Sequence, residues 1–175
     1  MIYTSKESEQ SAILNVAQGM LTAARTAPKG RGIDNIETFI ADGEDKQKLA
    51  DKMREIGGQT GFPAFSRDAG NVEASGCVVF VGVANKPVGL NCGFCGYETC
   101  GEMAAAGARC AFNFTDLGIA VGSAAAFAAD NRVDNRVMYT AGKAALQLGW
   151  FPESIKAAYG IPLSVSGKSP YFDRG

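Results

Sequence analysis

The chain has 175 residues, 46% hydrophobic and 20% charged, with a formal net charge of −1 and its Lys and Arg residues scattered. That composition suits one globular domain with a core of its own and offers no basic face for nucleic acid or a membrane surface. The sequence contains no histidine, which excludes a Cys-His zinc site and any Ser-His or Cys-His triad.

No secretory leader and no apolar run of membrane-spanning length is visible, and these features imply a cytoplasmic chain with reduced cysteines. The spacing of Ile13, Leu14, Val16, Ala17, Met20, Leu21 and Ala24 predicts a helix over 8–25, ended by Pro28, Gly30 and Gly32. Residues 35–41 alternate apolar and polar as a half-buried strand does. After a turn at Asp42-Gly43, 44–57 reads as a charged amphipathic helix carrying Leu49, Ala50, Met53 and Ile56 and closed by Gly57-Gly58. Residues 59–75 read mainly as loop, with a short helical turn as the alternative. The continuous apolar run 76–84 predicts a buried central strand.

Helices are expected at 98–109, from Asp116 to Ala129, and over 134–148. A last strand or edge segment is expected at 160–166, since Pro162 cannot donate a ladder hydrogen bond. The tail is expected to be ordered because Tyr171 and Phe172 need packing. With 22 glycines, close backbone approach or many tight turns are also expected. This order of elements predicts an α+β fold, a small central sheet covered by helices, in one domain spanning 1–175.

Four of the five cysteines fall within nineteen residues, at Cys92, Cys95, Cys100 and Cys110. Thiolates this close in sequence hold a metal or a cluster, or form disulfides. The odd cysteine count and the reducing compartment argue against disulfides. Zinc ribbons use two C-x2-C pairs, and here there is one pair followed by two single cysteines, a spacing nearer to cluster-binding loops. Structural zinc in a binding module and unligated thiols remain the other readings. Glycines after Cys92 and Cys95 let the backbone approach a cluster. Cys77, inside the apolar strand, reads as a core residue.

The run Cys-Gly-Phe-Cys-Gly-Tyr-Glu-Thr-Cys-Gly-Glu-Met-Ala over 90–110 resembles the four-cysteine Fe–S domain of corrinoid iron–sulfur proteins and electron-transport complex subunits, with a shorter interval before the last cysteine. The resemblance implies a 4Fe–4S cluster on Cys92, Cys95, Cys100 and Cys110, with Phe94 and Tyr97 as its apolar shield. Residues 13–55, including Ala-Ala-Arg-Thr-Ala-Pro, and the segment from Asp116 resemble the nitroreductase fold. The whole chain, with its ending Gly-Ile-Pro-Leu-Ser-Val-Ser-Gly-Lys-Ser-Pro-Tyr-Phe-Asp-Arg, is similar to a family of uncharacterised proteins containing a ferredoxin domain.

The nitroreductase resemblance implies a homodimer with FMN at the interface and an oxidoreductase activity, although the basic N-terminal segment that grips the flavin phosphate in that family is missing here. Lys168 and Arg31 are the leading candidates to bind the flavin phosphate, with Arg25, Lys29 and Arg174 behind them. Each is also accounted for as a solvated charge. The electron would pass to a redox partner protein or a small-molecule acceptor. No acid–base machinery stands out. Asp116, Asp130, Asp134 and Asp173 read as caps, turns or surface charges, with Asp116 close to a helix N-terminus.

Overall fold

The first helix, α1 (Ser5–Thr26), starts where Thr4 and Glu7 form a reciprocal capping box, and it buries Ile13, Val16, Ala17, Met20 and Ala24 along one stripe. Its C-terminal carbonyls are closed by Lys29. That ammonium donates to the carbonyl oxygens of Ala24, Arg25 and Ala27 at 3.4, 2.6 and 2.9 Å, and the Lys29 side chain is 6% exposed. Lys29→Met is therefore expected to cost about 2–3 kcal/mol, the loss of charged hydrogen bonds to carbonyls left unpaired. A urea titration of the two proteins reads this difference.

The computed structural model describes residues 1–172. A 3-10 turn at Gly30–Gly32 leads to β1 (Ile36–Ala41), then α2 (Gly43–Thr60), α3 (Ala64–Glu73) and β2 (Cys77–Ala84). After a loop come α4 (Cys100–Ala105), α5 (Ala111–Asp130), β3 (Asp134–Asn135), α6 (Tyr139–Gln147) and β4 (Ile155–Ser164). The sheet runs β1-β2-β4-β3 and is antiparallel throughout. Strand β2 is buried at all eight positions because both of its faces are covered. Cys77, Val79, Val81 and Val83 join the core under α1 and α5, while Val78, Phe80 and Ala84 join the core under α2, α3 and α6. This is why an antiparallel strand reads as one unbroken apolar run.

The expected α+β plan of a small sheet between helices is observed, and several boundaries move. Helix α2 does not stop at Gly57-Gly58. It runs to Thr60 and closes at Gly61, whose φ is 67°. Gly57 is a packing position: a Cβ there would lie 3.0 Å from Ser66 Oγ and 3.2 Å from Phe65 Cβ, on α3. The segment 59–75, expected as loop, contains α3, which buries Phe65, Asp68, Ala69 and Val72 on one face. Helix α5 starts at Ala111, five residues before Asp116. The stretch 134–148 is not one helix, because Asp134–Asn135 pair with Ser164 and Leu163, and Met138 bridges to Gly160 before α6 begins.

Strand β4 lies inside the sheet, between β2 and β3. The backbone N–H and carbonyl of Gly160 both bond Met138, so Pro162, two residues on, turns its nitrogen to the same side. Of the tail residues, Tyr171 is buried, with its hydroxyl 2.8 Å from Ser75 Oγ, whereas Phe172 is exposed beneath the Arg136 guanidinium. Asp173 and Arg174 lie outside the described residues.

Glu73 ties the end of α3 to α2. The Arg54 guanidinium grips its carboxylate at 2.6 and 2.5 Å and Gln47 donates at 3.1 Å. These contacts lower its pKa from the ordinary 4.5 to about 2. A carboxylate with a depressed pKa adds stability above its unfolded value, and that contribution fades as pH falls toward 2. The wild-type melting temperature is expected to exceed that of Glu73→Gln at neutral pH and to meet it near pH 2. The gap stays below about 1 kcal/mol because the pair faces solvent. Melting curves across that pH range check it.

Candidate metal centre

The cysteine loop leaves the top of β2 at Asn85 and returns at Cys110, the N-cap of α5. Three contacts hold it to the fold. Asn85 Oδ1 accepts the Cys110 N–H at 3.1 Å, and its Nδ2 donates to the Ala108 carbonyl at 3.0 Å. Arg31, at φ 56°, donates from its guanidinium to the Val88 carbonyl at 2.7 Å. Val88, Met103 and Cys110 form a small buried apolar cluster against which Cys95, Tyr97 and Phe112 pack. Phe94 is 73% exposed and stacks on Phe112, with ring centroids 5.5 Å apart and planes 9° from parallel.

Along the loop, Asn91, Gly93 and Gly96 all have positive φ, at 47°, 74° and 84°. Gly93 and Gly96 face open space where a Cβ would stand, and the left-handed conformation there suits glycine. Cys100 begins α4, which Thr99 and Glu102 close with a capping box. Its N–H donates to Asn91 Oδ1 at 2.8 Å, and the Asn91 N–H points back at Cys100 Sγ at 3.4 Å. Cys100 is thus fastened to the residue preceding Cys92, while Cys95 packs on the cluster that contains Cys110.

All five cysteines are free thiols. Cys92 is exposed, Cys95 and Cys100 are half-buried, and Cys110 is buried. Among the described residues, no three His, Cys, Asp or Glu side chains are gathered into a metal-holding group. The donor set nevertheless fits an iron–sulfur cluster in kind: four unbridged thiols on one anchored loop, with backbone opened at the glycines that follow two of them. Cys77 stands apart. It is 2% exposed in β2, and burial pushes its thiol up to about 12, so it stays protonated and is a core residue as expected.

Of the candidate phosphate-binding residues, Arg25, Lys29 and Arg31 are engaged within the fold. Arg25 pairs with Asp34 at 2.5 Å and donates to the Ile36 carbonyl, and Lys29 caps α1. Arg31 lies beyond the Ala84 end of β2. Lys168 belongs to the other end: its carbonyl accepts from Ser166 Oγ, just past Ser164, and the neighbouring Leu163 pairs with Cys77. An eight-residue strand separates them, on the order of 25 Å. The two do not form one phosphate site within a chain.

Asp116 is not at a helix N-terminus. It lies in the second turn of α5, where its Oδ1 accepts the Gly30 N–H at 3.0 Å and pins the 3-10 turn. Asp134 Oδ1 accepts the Asn135 N–H, a local turn contact. Asn85 and Asn91 were not singled out by the sequence pattern. The available signal was position alone, one residue after the strand and one before the first cysteine of the loop.

Comparison with known proteins agrees with this frame. A sequence profile described as "Uncharacterized protein containing a ferredoxin domain (DUF2148)" matches residues 106–174, a span that includes Cys110 but none of the other three loop cysteines. An uncharacterized protein from Archaeoglobus fulgidus is 40% identical over 183 aligned residues, covering 99% of this chain and 98% of that one. A nitroreductase with bound FMN from Desulfitobacterium hafniense superposes with a TM-score of 0.60 at 15% identity, over 96% of this chain and 81% of its own. An oxidoreductase containing FMN gives a TM-score of 0.60 at 16% identity, over 88% and 67%. The fold is nitroreductase-like, as expected.

Proposed function

The chain belongs to the family of uncharacterised proteins containing a ferredoxin domain, and on that premise we propose that it is a cytoplasmic redox protein holding one 4Fe–4S cluster through Cys92, Cys95, Cys100 and Cys110. The observation that carries this reading is the anchored loop with four unbridged thiols beside an apolar cluster. Such a cluster supplies one-electron transfer. The thiols of segment 90–110 would hold it and Phe94, Tyr97 and Phe112 would limit water at the sulfurs, while the Asn85 and Arg31 contacts fix the loop. Burial and N–H···S bonding would set its potential, and its electron would go to a protein partner or a small acceptor.

Anaerobically purified protein is expected to be brown, with iron and acid-labile sulfide in equal amounts. A colourless protein holding one zinc and no sulfide would instead support structural zinc.

A second reading adds FMN, favoured by the fold shared with structures described as containing FMN. It makes the chain an oxidoreductase, and a flavin spectrum in the supernatant of denatured protein tests it. The exposed face of α5 leads us to a homodimer formed through that helix. Phe114, Gly118, Ile119 and Gly122 lie exposed along one face of that helix, whose opposite face packs into the core. By length and composition α5 is apolar enough to cross a membrane, and here its buried stripe lies against α1 and the sheet. Ile119→Lys is expected to convert a dimer to a monomer of unchanged helix content, as read by sedimentation and circular dichroism.

A further inference from the structure

Two of the four loop cysteines belong to a C-x2-C pair, whose intervening Gly93 turns the chain at φ 74°. Cys100 and Cys110 have no such partner in sequence, and each is held instead by an asparagine carboxamide. We infer that Asn91 and Asn85 are positioning residues for the sulfurs of Cys100 and Cys110. This inference rests on the cluster reading above.

Asn91 closes a two-way clamp on Cys100. Its carboxamide oxygen takes the Cys100 N–H at 2.8 Å while its own N–H aims at the sulfur at 3.4 Å. It does so with a left-handed backbone at φ 47°, which asparagine tolerates better than most residues with a side chain. One residue therefore supplies both the conformation and the acceptor that keeps it. An N–H directed at a ligating sulfur offsets thiolate charge and raises the reduction potential.

Asn85 uses both ends of its carboxamide. The oxygen accepts from the Cys110 N–H at 3.1 Å and the nitrogen donates to the Ala108 carbonyl at 3.0 Å. A carboxylate could do only the first. The backbone on both sides of Arg109 is thereby tied to the end of β2, and Cys110 enters α5 in a fixed orientation.

The test uses the full chain, with and without reconstituted cluster. Asn91→Gly keeps the backbone freedom and the N–H but removes the carboxamide acceptor, whereas Asn91→Asp keeps an acceptor. With cluster, Asn91→Gly is expected to release iron to a chelator about tenfold faster than wild type, and Asn91→Asp close to the wild-type rate. The midpoint potential of Asn91→Gly is expected to fall as the N–H drifts from the sulfur.

Without cluster, mass mapping of alkylation is expected to show Cys110 reacting about tenfold faster in Asn85→Ala, while Cys92 and Cys95 keep their rates. Circular dichroism identifies a variant that has unfolded, for which Asn91→Asp and Asn85→Asp supply the readout. Wild-type iron release and potential in Asn91→Gly, with unchanged thiol reactivity in Asn85→Ala, overturn the inference. A wild-type chain that takes up no cluster overturns the function instead. The alkylation rate of Cys110 then still decides whether Asn85 positions that thiol.

Discussion

Cys110→Ser is expected to leave the anaerobically reconstituted protein colourless, whereas Cys77→Ala is expected to hold its full complement of iron and sulfide. The contrast follows from where the two thiols sit. Both are buried, so exposure does not separate them. Cys77 opens β2, at the far end of that strand from the loop that leaves at Asn85, and burial pushes its thiol up to about 12, which disfavours the thiolate a metal needs. Cys110 stands at the junction of the loop and α5, with its N–H already taken by Asn85, and it belongs to the apolar cluster on which Cys95 packs. Serine preserves the size of that side chain but offers an oxygen that iron–sulfur clusters rarely accept in place of a thiolate. The same substitution at Cys92, Cys95 or Cys100 is expected to act in the same direction. Iron and sulfide analysis together with the electron paramagnetic resonance of the reduced protein read the result. A Cys110→Ser protein retaining wild-type iron would remove Cys110 from the ligand set.

The largest expected effect on stability comes from a residue far from the loop. Gly142→Ala is expected to cost about 3 kcal/mol or more, a large share of the roughly 5–15 kcal/mol that holds a typical domain together. Helix α6 lies so close on β4 that a Cβ at Gly142 would stand 1.9 Å from the Ala158 carbonyl oxygen, 2.3 Å from its carbon and 2.8 Å from Tyr159 Cα. All three are backbone atoms of the strand, so no rotamer can relieve the overlap. The helix must lift, and with it goes the packing of Ala141, Ala144 and Ala145 in the core beneath.

Gly70→Ala supplies the control. That position is also helical, is exposed, and has no atom within 4 Å of the added carbon. There the substitution is expected to stabilise the protein by about 0.5–1 kcal/mol through helix propensity. Alanine is the better helix former at both sites, so opposite signs in thermal and urea unfolding would show that packing decides at Gly142. Equal effects at the two positions would remove the close helix–strand contact as the cause.

Helix α1 and strand β2 were legible because their burial pattern is written in apolar spacing, at Ile13, Val16, Ala17, Met20 and Ala24 in one case and throughout 77–84 in the other. Helix α3 was not, because Gly57, Gly58, Gly61 and Pro63 around it resemble turn punctuation. Gly57 serves instead to let Phe65 and Ser66 approach α2, and only the partner helix reveals that. Strand β3 is two residues long and is a strand solely because Leu163 and Ser164 lie opposite it. Asp116 was read as a cap because its partner, the Gly30 N–H, is 86 residues away in sequence.

The sequence alone determined which residue types could do chemistry: four clustered thiols, no imidazole, and a fifth thiol inside an apolar strand. Those follow from composition and local order, and local order also sets helix and strand periodicity. Tertiary structure decided what those residues face. It put Arg31 and Lys168 at opposite ends of the sheet, bound Arg25 and Lys29 to α1 and its neighbours, and brought Asn85 and Asn91 to Cys110 and Cys100. Hydrogen bonds and close contacts depend on distance in space, and the distance between segments is set by chain topology, which no local pattern encodes.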